Sequence, residues 1–350
     1  MALSSLLFLS SGLFLGWSLG ANDVSNIFGA AVGSKMIKFK TAAIIASIFV
    51  IAGAVFGGSA TTQTLTNLGG VNALAGSFMV AFSAALGVYF MAKAGLTTST
   101  SQAIVGAIIG WNLYADKPTD ISLLLKIVLS WVLCPVFAAL IAVGLYFALR
   151  SVIKKMHLHI LRQNEYLRVA LIVSGALCTY ALGANNIANV MGVFVDTVPF
   201  EGLKIGALAL GQKQILFLLG GVAISIGVFT YAQRVMETIG SHLIKISPFT
   251  ALVIILSQAL VLFMFTSPGL KNLLSSIGFL TLPLVPVSST QAVIGSILGI
   301  GLLKGGRGVN WSVVGRITAG WLTTPLIALV VCFVGLFFVE NVFRQVVFLP

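Results

Sequence analysis

The chain has 350 residues, 58% of them hydrophobic and only 8% charged, where soluble domains carry roughly 25% charged residues. So few charges cannot cover a water-exposed surface, which excludes soluble enzymes and soluble binding modules and makes lipid the solvent. The net charge of +12 does not point to nucleic acid, because the basic residues sit in short connectors such as Lys35, Lys38 and Lys40, with no basic face interleaved with aromatics.

In chain order, apolar runs predict spanning helices at 2–19, 41–58, 71–92, 121–149, 168–182, 205–230, 249–266 and 313–338, since a hydrocarbon core takes roughly 20 helical residues. Met1 to Gly20 looks like a secretory apolar segment but lacks a basic start and runs into polar residues, so it reads as the first span. Shorter runs near 24–34, 97–113, 187–195, 269–282 and 288–303 are expected to be broken or re-entrant helices. Residues 1–149 are expected to form a first membrane repeat and 168–350 a second. The linker 150–167, with the adjoining Arg168, carries Arg150, Lys154, Lys155, Arg162 and one acid, Glu165, so it should face the cytoplasm.

Three internal matches establish the duplication. GANDVSN at Gly20 to Asn26 returns as GANNIAN at Gly183 to Asn189, an offset of 163. TSTSQAIVGAIIG at Thr98 to Gly110 returns as VSSTQAVIGSILG at Val287 to Gly299, an offset of 189, and SWVLCP at Ser130 returns as GWLTTP at Gly320, an offset of 190. The growth in offset predicts an insertion in the second half, around Tyr231 to Pro248. An odd number of crossings in the first half would invert the second. The expected fold is therefore an all-α polytopic membrane protein of two inverted structural repeats with broken or re-entrant helical hairpins.

Polar residues within membrane segments locate the chemistry, because an Asp at a helix centre costs roughly 2.5–3.5 kcal/mol on insertion scales. Asp23 is embedded in apolar sequence with Asn22 and Asn26, and Gly20 and Ala21 would let the backbone open there. Asn185, Asn186 and Asn189 repeat the cluster. One Asn alone would read as an interhelical hydrogen bond; two copies of a cluster read as an ion or substrate site. Carboxylate, carboxamide and opened-helix carbonyl oxygens suit a small hard cation.

The hydroxyl clusters suit an anion. Thr97, Thr98, Ser99, Thr100 and Ser101, followed by Gln102, stand before one helical run, and Ser288, Ser289 and Thr290, followed by Gln291, stand before another. Capping needs one hydroxyl; several, beside N–H groups at the positive end of a helix dipole, make an anion site. With no embedded Lys or Arg beside them, the anion's charge would be met by dipoles, hydroxyls, amides and a co-bound cation, which points to coupled transport.

Other residues read as structural. Cys134, Cys178 and Cys332 stand singly and read as small core residues. His157 and His159 in the linker and His242 in the inserted segment read as loop histidines rather than a zinc pair. GGRG at Gly305 to Gly308 lacks the Lys and Ser/Thr of a nucleotide loop. Asp116, Asp120 and Glu165 read as loop acids, and Asp196 as either a site acid or a membrane-surface acid.

On these residues the chain resembles the inorganic phosphate transporter family, also called phosphate/sulfate permeases. GANDVSN and GANNIAN are similar to its duplicated GANDVAN, VMETIG at Val235 to Gly240 resembles its segment before the second-half helices, and PVSSTQAVIGSILGIG at Pro286 to Gly301 resembles its PVSTTHALVGAILGVG. The resemblance implies an inverted-repeat fold with two helical hairpins, a homodimer in the cytoplasmic membrane, no cofactor, and symport of inorganic phosphate with Na+ or H+. It implies that Asn22, Asp23, Asn185 and Asn186, with Asn26 and Asn189, hold the cation. It likewise implies that Ser99, Thr100, Ser101, Gln102, Ser288, Ser289, Thr290 and Gln291 surround the anion and its cation. Asn186 stands where the family has Asp, and Gln291 where it commonly has His. A sulfate permease is the alternative within the class, and a passive anion channel the alternative outside it; no nucleophile and base stand at a spacing useful to an enzyme.

Overall fold

The structure is a computed structural model that describes residues 3–93, 98–156, 159–198, 202–205, 208–242, 247–279, 281–306 and 309–349. Thr97, His157 and the second half of GGRG lie outside the described residues.

The first half comprises α1 (Leu3–Gly33), α2 (Phe39–Gly57), α3 (Ser59–Gly69), α4 (Leu74–Lys93), α5 (Thr100–Tyr114) and α6 (Ile121–Lys155). The second comprises α7 (Ile160–Met191), a short antiparallel hairpin of β1 (Leu203–Ile205) and β2 (Leu208–Leu210), α8 (Gln212–His242), α9 (Pro248–Thr266), α10 (Pro268–Ser276), α11 (Ser289–Leu303) and α12 (Trp311–Asn341). Among the described residues, seven helices are long and apolar enough to cross a membrane. Helices follow from the solvent: lipid offers no partner to a backbone N–H or C=O, so each apolar run must satisfy its own.

Several expectations change. The runs at 24–34 and 187–195 are not separate short helices but the ends of α1 and of α7 with its following 3-10 turn at Gly192–Phe194. Neither signature is opened: GANDVSN and GANNIAN both lie within continuous helix. Their glycines serve close packing instead, for a Cβ on Gly20 would overlap the Ile224 carbonyl, and one on Gly183 the Val50 carbonyl. The span expected at 205–230 begins only at Gln212, after the β-hairpin. Glu165 lies on α7, paired at 4.0 Å with Arg168, and Asp120 caps α6, accepting from the Leu123 N–H at 3.0 Å. α6 and α7 run through most of the 150–167 linker.

The halves pack through each other. α1 packs on α8 as α7 packs on α2, α5 on α12 as α11 on α6, and α4 on α1, α5 and α12 as α9 on α7, α11 and α6. Glycine again permits the approach: a Cβ on Gly106 would overlap the Pro325 carbonyl, and one on Gly295 the Pro135 carbonyl. Exchanging the halves therefore leaves the pattern of neighbours unchanged. The equivalence also relocates the insertion. Val50 and Ile224 correspond at an offset of 174, as do Gly53 and Gly227 and the starts of α4 and α9. The offset thus rises from 163 to 174 between α7 and α8, where the β-hairpin sits, and from 174 to 189 between α9 and α11, where α10 sits. Tyr231 to Pro248 has a counterpart of equal length in Gly57 to Leu74, so the insertion is not there, and His242 is the last residue of α8.

Candidate functional site

α5 and α11 begin in the protein interior. Ser99 and Ser288, both extended, cap them alike: each side-chain oxygen accepts from the N–H three residues on, of Gln102 and Gln291, at 3.2 Å. Thr98 to Gln102 and Ser288 to Gln291 are all buried. The remaining first-turn N–H groups have no intrahelical acceptor. The two starts are tied reciprocally, Ser101 Oγ donating to the Val287 carbonyl at 3.0 Å and Thr290 Oγ1 to the Thr98 carbonyl at 2.9 Å. Two positive helix ends lined with hydroxyls thus adjoin inside the molecule, an arrangement that stabilises an anion.

The signatures meet these starts. Asp23, 3% exposed, accepts at one carboxylate oxygen from Ser289 Oγ at 2.5 Å and from Asn186 Nδ2 at 3.3 Å. Asn186 Oδ1 in turn accepts from Asn185 Nδ2 at 2.8 Å and Asn189 Nδ2 at 3.1 Å. Asn189 Nδ2 also donates to Ser101 Oγ at 2.8 Å. Asn185 grips the chain before α11, donating to the Val287 carbonyl at 2.7 Å and accepting from its N–H at 2.9 Å. One connected network therefore joins both signatures to both hairpin helices. The donor set is one carboxylate with amide and hydroxyl oxygens, which is hard-ligand chemistry suited to Na+ and not to zinc.

Not every expected residue joins. Asn22 is half-buried and turns its amide back to the Ser18 carbonyl of its own helix at 2.9 Å. Asn26, also half-buried, has no hydrogen-bond partner among the described residues. Asp196 is exposed beyond the end of α7 and lies outside the network. Two participants went unnoticed in the sequence. The Val287 backbone carries no sequence signal. Gln258, buried in the apolar run of α9, donates from Nε2 to the Ser289 carbonyl at 3.5 Å. A lone amide in such a run is the same costly placement that singled out Asp23.

Residues 19–332 match the phosphate transporter family. The chain belongs to that family. Among relatives of this phosphate transporter family member, a protein of Methanocaldococcus jannaschii named for phosphate permease activity is 30% identical, covering 92% of this chain and 93% of its own. The sulfate permease CysP of Bacillus subtilis is also 30% identical, covering 94% of this chain and 85% of its own. Among solved structures, a sodium-dependent phosphate transporter shares the fold at a TM-score of 0.73 and 23% identity, covering 97% of this chain and 99% of that one. Transport, not catalysis, is the business of the family.

Proposed function

We propose that the chain is a secondary active transporter that carries inorganic phosphate across the cytoplasmic membrane in symport with a cation, Na+ in the first instance. The observation that carries this reading is the contact of Asp23 with Ser289 and Asn186: the one carboxylate of the two signatures lies against the start of α11. Among the described residues the network contains no Lys or Arg, so an anion at the helix starts is balanced by N–H groups, hydroxyls and a cation beside Asp23. Each ion lowers the cost of burying the other. The names of the M. jannaschii relative and of the sodium-dependent neighbour support the substrate and the coupling ion. The same reading takes the halves as inverted, the linker as cytoplasmic and the protein as a homodimer. Ser99, Thr100, Ser101, Gln102, Ser288 and Thr290 line the anion site; Asp23, Ser289 and the Asn side chains line the cation site, and Gln291 stands between the two, its N–H at the helix start and its side-chain oxygen toward the cation.

Sulfate is the second reading, favoured by the likeness to CysP and by Gln291 and Asn186, where the family carries His and Asp. Uptake of labelled phosphate into proteoliposomes under imposed sodium or proton gradients decides between them. The expected result is saturable uptake driven by the sodium gradient and inhibited by arsenate. Inhibition by sulfate alone would establish the sulfate reading, and non-saturating flux indifferent to both gradients would mean a channel.

A further inference from the structure

Four amide oxygens around the hairpin starts are buried with no hydrogen-bond partner: Gln102 Oε1, Gln291 Oε1, Asn189 Oδ1 and Gln258 Oε1. Three belong to the duplicated motifs. Gln258 belongs to neither, and its counterpart in the first half at the offset of 174 is Ala84.

Gln258 is fully buried in α9. Its backbone is pinned by its neighbour, since Ser257 Oγ donates to the Ala138 carbonyl of α6 at 2.7 Å and accepts from Ser296 Oγ of α11 at 3.1 Å. That turn of α9 is thus fixed between the two helices. With Nε2 at the Ser289 carbonyl, the side chain lies behind the residue whose hydroxyl donates to Asp23. A carbonyl oxygen buried in apolar surroundings without a donor is unfavourable, and Leu or Met would fill the volume without that cost. What satisfies an acceptor where no donor stands is a cation. The asymmetry has the right sense: the additional neutral oxygen sits on the side of Asp23, the carboxylate that the second signature lacks.

We propose that Gln258 is a further ligand of the coupling cation, its Oε1 joining Asp23 and the Gln291 Oε1 in an oxygen shell on the Ser289 side of the site. This rests on the cation-coupled reading above. One carboxylate with neutral amide oxygens balances a single monovalent cation, and Gln258 supplies a neutral oxygen where the paired-acid arrangement would have supplied charge.

The test uses the purified full chain and Gln258→Leu, with sodium chloride as the probe and choline chloride as the ionic control. In the wild type, sodium raises the unfolding temperature above its value in choline; in Gln258→Leu that rise falls to less than about half, while the temperature in choline is kept or raised because an unsatisfied polar group is gone. In proteoliposomes, the sodium concentration for half-maximal uptake rises at least about tenfold, with the phosphate KM at saturating sodium within about twofold. Gln258→Glu, which keeps the oxygen, retains the sodium response. Should Gln258→Leu fail to fold, Gln258→Asn, which withdraws the oxygen by one methylene, shows the same loss. A substituted protein whose sodium shift and half-maximal sodium equal those of the wild type overturns the assignment, as does a wild type with no sodium shift. A wild type stabilised by sodium yet transporting without regard to its gradient overturns the coupling reading and leaves Gln258 a cation ligand.

Discussion

Asn22 and Asn185 hold the same place in the two signatures, and the structure uses them differently. Asn185 is fully buried and holds the Val287 backbone with two hydrogen bonds. Asn22 is half-buried, bonded to its own helix, and leaves the equivalent Thr98 backbone ungripped. Asn189 and Asn26 differ in the same way, one bonded to Ser101 and the other free of partners among the described residues. The reciprocal ties from Ser101 and Thr290 remain nearly identical. The lesson is that the hairpin starts keep the symmetry of the duplication while the signatures depart from it: the α7 side of the site is locked, and the α1 side is the open one.

Asp23→Asn makes the signatures chemically alike and has the largest effect. Uptake should fall by at least about a hundredfold, since a transport step that loses the one buried carboxylate among the described residues loses several kcal/mol of differential binding. Labelled phosphate uptake at equal amounts of monodisperse protein measures it, and full uptake would remove Asp23 from the mechanism. Asn186→Asp makes the signatures alike in the other direction, placing a second carboxylate where an amide now donates to Asp23 at 3.3 Å. Like charges so close exclude each other unless a cation lies between them. Uptake should therefore reach half-maximum at about tenfold less sodium and rise more steeply with it; an unchanged sodium curve would show that the two positions are uncoupled.

The lock itself can be broken on one side at a time. Asn185→Ala leaves the Val287 N–H and the Asn186 oxygen short of partners and should destabilise by about 2–4 kcal/mol, seen as a lower unfolding temperature. Asn22→Ala should cost no more than about 0.5 kcal/mol while still weakening sodium-driven uptake. Equal losses in the two would erase the asymmetry. Asn22 apart, the smallest effects belong to the reciprocal ties: Thr290→Val should cost about 1 kcal/mol, and Ser101→Ala more, because Ser101 Oγ also accepts from Asn189. Equal losses in thermal stability would show that the bond from Asn189 to Ser101 adds nothing.

Much of this site was legible in the sequence because its parts are local. Ser99 and Ser288 cap helices where hydroxyl clusters precede apolar runs, and the duplicated Asn and Asp positions announce themselves by their cost in lipid. What was not legible depends on approach in three dimensions. Gly20 suggests an opened helix because glycine serves both a broken backbone and a close crossing; the Ile224 carbonyl decides for the crossing, as the Val50 carbonyl does at Gly183. α3, with its polar sequence SATTQTLTNLG, has no apolar periodicity, yet it corresponds to the last turns of α8. The growth in offset shows that residues are added between the first and second matches but not where, and the extra length proves to lie in the β-hairpin and α10 rather than at Tyr231 to Pro248. Asn185 could be placed in a site from sequence, but its partner is a backbone 102 residues away.

The crossed pairing of hairpin helices has a consequence for how the molecule is made. The groove that α5 needs is on α12, and the one that α11 needs is on α6. A ribosome completes α5 long before α12 exists, so the newborn first half must wait in the bilayer with its glycine-lined face against lipid until its sister arrives. Neither half is a finished object alone, and two polypeptides cut at the α6–α7 junction should reassemble when synthesised together.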